Sequence, residues 1–475
     1  MGTSQPRNHI ALLILYLTLT ALLALFTAAP TPILAREPAA QAQKKPPSKT
    51  PAKPAAKPAA KKSKKPAANP ALSLPWPKNI LALAGEGAVL VVDRHAPPGQ
   101  TRELYAHNAE KHYVPASILK IVTSGAALEF LGPDFRFKTD FLLTKNNDLW
   151  IVGYGDPYLV SEELIIIVKE LQKRGLKKVR NIYIDDSYFQ RDLILDGNTQ
   201  TRSPFDAYNG AFGVNFNTVA FQKNKQGQVS KAAAHIPLTP LARKLAGQTK
   251  GPGVFTFNIS ESPQAAALNS GELFKAHLNE AGLSMEGEIF AGQTAPARRK
   301  VFYRHESSVP LEIVVKRLME NSNNFMTNQI FLTLGAELYG PPATLEKSQA
   351  AMDTFFIRHG LAPIAMGDGS GLSRQTILTA RQMAEVLAVL EPARYVFSRS
   401  KDGRVLSKTG TMSDIKTLAG YLERPDEPDR PLSFVILLNG QGYAGVRDLI
   451  LDILKNRFLT RAAGSESAGQ AAGAG

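Results

Sequence analysis

The sequence predicts an α/β (α+β) fold in which a sheet flanked by helices is interrupted by an inserted, mainly β domain. Three observations carry this. Ala88-Val89-Leu90-Val91-Val92-Asp93 and residues 103–107 read as two strands joined through a turn at Pro97-Pro98-Gly99, and the apolar run from 117 to 131 reads as a helix stopped by Gly132-Pro133. From about 140 to 300 the texture changes to short strands and loops. After about 303 long helical stretches return, and the chain closes with a hairpin, a strand and an amphipathic helix.

Ahead of this body lie two segments of different character. Residues 1–35 carry Arg7, an unbroken apolar or small-polar run from Ile10 to Ala28, and Pro32-Ile33-Leu34-Ala35 at a plausible cleavage point. This is the pattern of an export signal, with a retained anchor as the alternative. Either way the body is expected outside the cytoplasm, in the periplasm or cell envelope. Residues 36–76 repeat Ala, Lys and Pro, a composition that cannot bury a core and should be extended and semi-stiff. The stretch reads as a plain spacer or as a basic tether reaching an anionic wall polymer or membrane surface.

The formal net charge of +15 is concentrated there. Nine lysines and Arg36 against Glu37 put +9 on residues 36–70, and Arg7 adds one, which leaves about +5 on the body. A spread charge of that size argues for solubility, and no nucleic-acid partner is expected. The chain has no cysteine, which excludes disulfides, thiolate metal sites and a cysteine nucleophile. Its 475 residues leave room for about two to three domains.

Within the body, Leu149-Trp150-Ile151-Val152 follows a turn at Asn147-Asp148, a helix is expected over 162–174, and a strand over 179–184. Later helices are expected over 309–320, 324–338, 345–359 and 379–390. The turn-rich loop Gly367-Asp368-Gly369-Ser370-Gly371-Leu372-Ser373 separates the last two. Strands follow at 405–411, 418–423 and 432–438, then a helix at 446–458. The Gly, Ala and Ser beyond Ala463 are expected to be disordered. The domains are therefore expected as a catalytic domain split between 77–139 and 300–463, an insert at 140–299, and a tail at 464–475.

Three short motifs carry chemistry. Residues three apart on a helix are neighbours, so Ser117 and Lys120 should touch. A serine becomes a nucleophile when a base takes its proton, and a buried, neutral lysine can be that base. The chain has two other Ser-x-x-Lys pairs, Ser398/Lys401 and Ser413/Lys416, but only Ser117 follows a proline suited to a helix start and precedes a long apolar run. Ser322-Asn323-Asn324 is the sole Ser-x-Asn and Lys408-Thr409-Gly410 the sole Lys-Thr-Gly. Taken singly, the second motif could be a helix cap and the third a plain strand end. In this order the three form the signature shared by penicillin-binding proteins and serine β-lactamases.

Each residue has a role that fits its chemistry. Ser117 would attack a carbonyl to form an acyl-enzyme, with Lys120 accepting its proton. Ser322 would pass a proton to the departing amine, and Asn324 would hold Lys120 and a substrate amide. Lys408 suits a substrate carboxylate, which Thr409 can also bond. Gly410 would leave room for substrate backbone along the strand edge. The N–H groups of Ser117 and Thr411 would form an oxyanion hole. No metal or other cofactor is expected.

With these motifs, and with Gly153-Tyr154-Gly155-Asp156-Pro157, Tyr183-Ile184-Asp185-Asp186-Ser187-Tyr188-Phe189, Phe216-Asn217 after Tyr208, and Gly369-Ser370-Gly371-Leu372-Ser373, the sequence resembles the low-molecular-mass class C penicillin-binding proteins. These are the D-alanyl-D-alanine carboxypeptidase/endopeptidase family of bacterial cell walls. The resemblance covers about 78–460 and implies a penicillin-recognising, transpeptidase-like antiparallel sheet between helices. It implies activity on the D-Ala-D-Ala ends or cross-links of peptidoglycan stem peptides, with β-lactams as covalent inhibitors. The family's insertion between the first two motifs matches the 205 positions that separate Ser117 from Ser322 here. One departure is Asn323, where the family often has an acidic residue. A serine β-lactamase and a non-catalytic wall-binding scaffold are the alternatives. Against the former, no Glu-x-x-Leu-Asn segment is present, since Leu278-Asn279 follows Lys275 rather than a glutamate.

Overall fold

The structure is a computed structural model that describes residues 74–459, apart from 101, 260–261 and 297–299. The export-signal segment, the basic stretch as far as 73 and the tail fall outside these residues.

A six-stranded antiparallel sheet organises the part of the chain that carries the motifs. Its order is Ser398–Arg399, Val405–Met412, Ile415–Arg424, Glu427–Asn439, Ala88–Val92 and Glu103–His107. The central strands are apolar on both faces because both faces are covered. Successive side chains point to opposite sides. Val89, Val91, Leu418, Phe434 and Ile436 therefore pack with Ile450 and Leu454 of the closing helix Val446–Phe458. Leu90, Ala419, Tyr421, Val435 and Leu437 face the opposite layer, built from the helices Leu119–Phe130, Asn324–Tyr339, Leu345–Arg358 and Ala380–Leu390. The predicted closing helix has the predicted bounds. The second half of the hairpin is longer than expected, because its partner strand Glu427–Asn439 continues the pairing almost to the turn.

The strands between 138 and 306 form other sheets. A five-stranded mixed sheet runs Ile289–Gln293, Ile182–Asp185, Leu149–Gly153, Lys138–Leu143 and Tyr303–Glu306. It packs Phe141, Ile151 and Ile184 against the helices Ser161–Lys173 and Pro263–Glu280, forming a core of its own. A three-stranded sheet (Gly253–Asn258, Thr218–Lys223, Val229–Lys231) covers the helix Pro240–Gln248 around Phe221 and Leu245. The expectation of a mainly β insert therefore needs correction, since it holds three substantial helices and the sequence reading placed one. The buried face of Pro263–Glu280 carries Leu273, Phe274 and Leu278 only in its second half; its first half buries Ala266, Ala267, Asn269, Ser270 and Gly271, so the strongly apolar positions cover only about half of the helix. Its start was legible, with Ser262 accepting from the Ala265 N–H and proline at the first position.

The strand expected over 179–184 is two strands. Lys178–Val179 pairs with Ser284–Met285, and Ile182–Asp185 joins the five-stranded sheet. Arg180 divides them, with its guanidinium held by Asp148 at 2.7 Å.

Candidate active site

The site starts at a tight turn. Pro115 leads into a 3-10 turn, Ala116–Ile118, that continues directly as the helix Leu119–Phe130. Ser117 lies on the 3-10 turn and Lys120 in the first turn of the helix, and Lys120 Nζ is 3.1 Å from Ser117 Oγ. Lys120 is fully buried. Its Nζ also donates to Asn324 Oδ1 at 2.7 Å and to the Ser370 carbonyl at 2.7 Å. A neutral lysine has two N–H groups and one lone pair. With both N–H groups spent on these two acceptors, the lone pair is left for the Ser117 hydroxyl.

Burial, and next the positive charge of Lys408, push Lys120 down to about 7, while the Asp368 carboxylate opposes them. Burial also lowers Lys408, to about 8. Near neutral pH the first lysine can lose its proton while the second keeps its own. Such a separation lets two amines in one site take opposite roles.

Ser322 and Asn324 are delivered by a break between two helices. Leu311–Asn321 ends with Ser322 in the left-handed region, at φ 51°. Asn323 caps the next helix by accepting from the Met326 N–H at 2.9 Å. The cap is thus the middle residue of the motif, which frees its neighbours. Asp and Asn cap about equally well, which accounts physically for Asn323 here. Ser322 Oγ receives a hydrogen bond from Lys408 Nζ at 2.9 Å, and Lys408 also donates to the Thr409 carbonyl at 3.0 Å.

Lys408, Thr409, Gly410 and Thr411 lie on the strand Val405–Met412. Its short outer neighbour pairs only at Leu406 and Ser407, so from Lys408 onward the outer edge is unpaired. Lys408 and Gly410 are buried, and Thr409 and Thr411 are exposed. Gly410 has a different reason from the one expected. A Cβ there would lie 2.8 Å from the Pro115 carbonyl and 3.0 Å from the Ser117 nitrogen, and would collide with Thr417 Oγ1. The missing side chain brings the strand against the nucleophile turn rather than clearing its free edge. Thr417 Oγ1 secures the same junction by donating to the Pro115 carbonyl at 2.7 Å.

Sequence reasoning noticed the loop 367–373 and gave it no role. Asp368, fully buried, accepts from the N–H groups of Ser370, Gly371, Leu372 and Ser373. This folds the loop so that the Ser370 carbonyl meets Lys120, while Thr123 Oγ1 donates to the Gly369 carbonyl at 2.7 Å. Gly371 takes φ +85°, and any Cβ there would strike the Ala116 carbonyl. An aspartate followed by small residues and glycines was the available signal for such a knot. The insert also reaches the site, with Asn324 Nδ2 3.4 Å from the Phe205 carbonyl. The other two Ser-x-x-Lys pairs form no comparable site: Ser413 bonds Asp414, and Lys416 bonds the Met412 carbonyl.

The architecture is that of the penicillin-binding proteins. Penicillin-binding protein 4 (DacB) from Haemophilus influenzae superposes with a TM-score of 0.63 at 20% identity, over 79% of this chain and 98% of that one. In sequence, the D-alanyl-D-alanine carboxypeptidase of Actinomadura sp. strain R39 is 26% identical over 434 residues, covering 75% of this chain and 78% of the relative. The carboxypeptidase DacB of H. influenzae is 24% identical over 404 residues, covering 72% and 83%. The D-Ala-D-Ala carboxypeptidase 3 (S13) family model matches residues 86–244 and 245–394, and the chain belongs to that family. Lys408-Thr409-Gly410 lies beyond the matched segments, so its place in the site rests on the geometry above.

Proposed function

We propose that the protein is a serine D-Ala-D-Ala carboxypeptidase/endopeptidase acting on peptidoglycan stem peptides through an acyl-enzyme on Ser117. The observation that carries this is the environment of Lys120. It is buried beside the Ser117 hydroxyl, its N–H groups are occupied by Asn324 and Ser370, and Lys408 further discourages its charge.

The reaction follows from these positions. The substrate lies along the free edge of Val405–Met412, its terminal carboxylate on Lys408 and Thr409. Lys120 takes the Ser117 proton as Oγ bonds to the penultimate D-Ala carbonyl carbon. The N–H groups of Ser117 and Thr411 bind the oxygen that becomes negative. The C–N bond then breaks, and Ser322, held by Lys408 at 2.9 Å, passes a proton to the departing amine. Water cleaves the ester and Ser117 Oγ recovers a proton. A β-lactam would acylate the same oxygen.

The sheet membership supports a catalytic domain split around an insert, with the expected bounds (77–139, 140–299, 300–463) shifted, since Lys138–Leu143 and Tyr303–Glu306 pair within the insert's sheet and extend the insert to about 138–306. Export to the periplasm or cell envelope, with residues 1–35 as signal or anchor and 36–76 as a basic linker to wall or membrane, completes the proposal.

The test is incubation of the purified protein with uncross-linked and cross-linked muropeptides. Release of D-alanine from the former or cleavage of the latter, lost in Ser117→Ala, is expected. A folded protein inert on both would contradict the proposal. The lifetime of a penicillin adduct separates this reading from a β-lactamase, which would turn the adduct over quickly.

A further inference from the structure

The insert carries a strained turn whose function the reaction above does not use. Asn215, Phe216 and Asn217 are consecutive left-handed residues, with φ of 51°, 60° and 50°. One left-handed residue that is not glycine is uncommon, and a bulky aromatic there is an outlier. Three in a row persist only when their surroundings hold them. Asn215 Oδ1 accepts from the Ser161 N–H at 2.9 Å, and Asn215 Nδ2 donates to Ser161 Oγ at 2.9 Å. Asn217 Nδ2 donates to the Tyr208 carbonyl at 2.7 Å, and Thr218 Oγ1 donates to the Asn215 carbonyl at 2.7 Å.

The turn points one ring at the active-site helix. The Phe216 ring lies 6.2 Å from the Phe325 ring, edge to face at 71°. Phe325 immediately follows Asn324 and is 3% exposed, a wedge driven from the helix into the insert. Gly213 forms another wall of the slot, where a Cβ would stand 2.9 Å from Phe325 Cζ. Asn209 Nδ2 donates to the Phe325 carbonyl at 3.1 Å. The insert thus grips the first turn of Asn324–Tyr339 by ring and by backbone. The Asn323 cap fixes only where that helix begins. Rotation about the helix axis decides whether Asn324 Oδ1 stays 2.7 Å from Lys120 Nζ.

We propose that Phe216, set by its left-handed turn, is a positioning residue for catalysis: it holds Phe325, and through it Asn324, in register with Lys120. This rests on Lys120 being the base for Ser117. It gives the insert a part in placing Asn324 beside the base, beyond the contact of Asn324 with the Phe205 carbonyl.

The test is the rate of Ser117 acylation by a fluorescent penicillin, followed against pH in the full-length protein. Phe216→Ala should acylate about tenfold more slowly or worse, since misplacement of about 1 Å can cost a hundredfold. Burial is the main reason Lys120 titrates low. Water entering beside a displaced Asn324 should therefore move the acid limb of the profile to higher pH. Phe216→Tyr, which restores the ring, should recover most of the rate and the original limb. Gly213→Ala pushes on the same wedge without removing a buried group and should slow acylation in the same way, so it decides the question if Phe216→Ala does not fold. Wild-type rate and an unmoved limb in either folded variant would overturn the proposal while leaving Ser117 and Lys120 in their roles. A wild-type protein that takes no label overturns those roles and this inference together.

Discussion

Among the described residues, Lys120 and Asp156 are both driven by burial to about 7, from opposite sides, and they do different things. Lys120, beneath the nucleophile, is driven down to about 7, first by burial and then by Lys408. Asp156, in the insert, is driven up to about 7, first by burial and then by the Glu163 carboxylate. Burial favours the neutral form of each. Neutral lysine gains a lone pair, and a serine hydroxyl stands 3.1 Å away to use it. Neutral aspartate loses its basicity, and its neighbours are already engaged, since Glu163 Oε2 lies 2.8 Å from His305 Nε2. One Asp156 oxygen is occupied by the Tyr158 N–H at 2.8 Å. A displaced pKa therefore does not mark a site by itself. The direction of the shift and the group it faces do.

The sharpest way to break this comparison is by substitution. Lys120→Met should lower the acylation rate on the order of a thousandfold, within the range for loss of a general base. Asp156→Asn should leave that rate within about twofold. A large loss in Asp156→Asn with the fold intact would put the insert cluster inside the catalytic machinery.

The pH profile comes next. Lys120 must be neutral and Lys408 charged, so kcat/KM should rise with pH through about 7 and fall through about 8. The profile should be a narrow bell whose limbs belong to the coupled pair. In Lys408→Ala, the alkaline limb should go and KM should rise for substrates ending in a carboxylate.

Stability should separate the two groups by sign. Lys120 falls from an ordinary 10.5, so the unfolded chain binds the extra proton between about 7 and 10.5, and its contribution to stability grows with pH across that window. Asp156 rises from 3.8, so the folded protein binds the extra proton between 3.8 and about 7, and its contribution is lost across that window. Denaturant titrations should show Lys120→Met flattening the upper window and Asp156→Asn the lower. Each change should be on the order of a few kcal/mol. Exchanged windows would contradict the assignment.

The smallest effect concerns Asn323. As a helix cap its replacement by alanine should cost about 1 kcal/mol, and Asn323→Asp should be nearly neutral in thermal unfolding.

The site was more legible than the insert, for a physical reason. Ser117 and Lys120 are one turn apart, Ser322 and Asn324 straddle a cap, and Lys408 to Thr411 share a strand edge, so each motif is encoded in a few adjacent residues. Their meeting could be expected because each is chemically incomplete alone. The knot around Asp368 had a local signal in its small residues and glycines, but the roles of Asp368 and Ser370 toward Lys120 did not. They depend on a backbone carbonyl, which every residue has, being folded toward Lys120. Gly410 was singled out for the wrong reason, because a neighbouring strand and the nucleophile turn crowd it only in three dimensions. The helix Pro263–Glu280 was missed because the first half of its buried face is small or polar, and Leu273, Phe274 and Leu278 mark only the second half. The contact of Phe216 with Phe325 joins residues 109 positions apart and left no local trace.

The account stands on Ser117 as the nucleophile made reactive by Lys120. The most direct measurement is mass spectrometry of the intact protein after exposure to a penicillin, with the modified peptide mapped. One adduct per chain on the peptide containing Ser117, absent in Ser117→Ala and formed only slowly in Lys120→Met, is the predicted result. An unmodified wild-type protein, or an adduct that persists in Ser117→Ala, would contradict it.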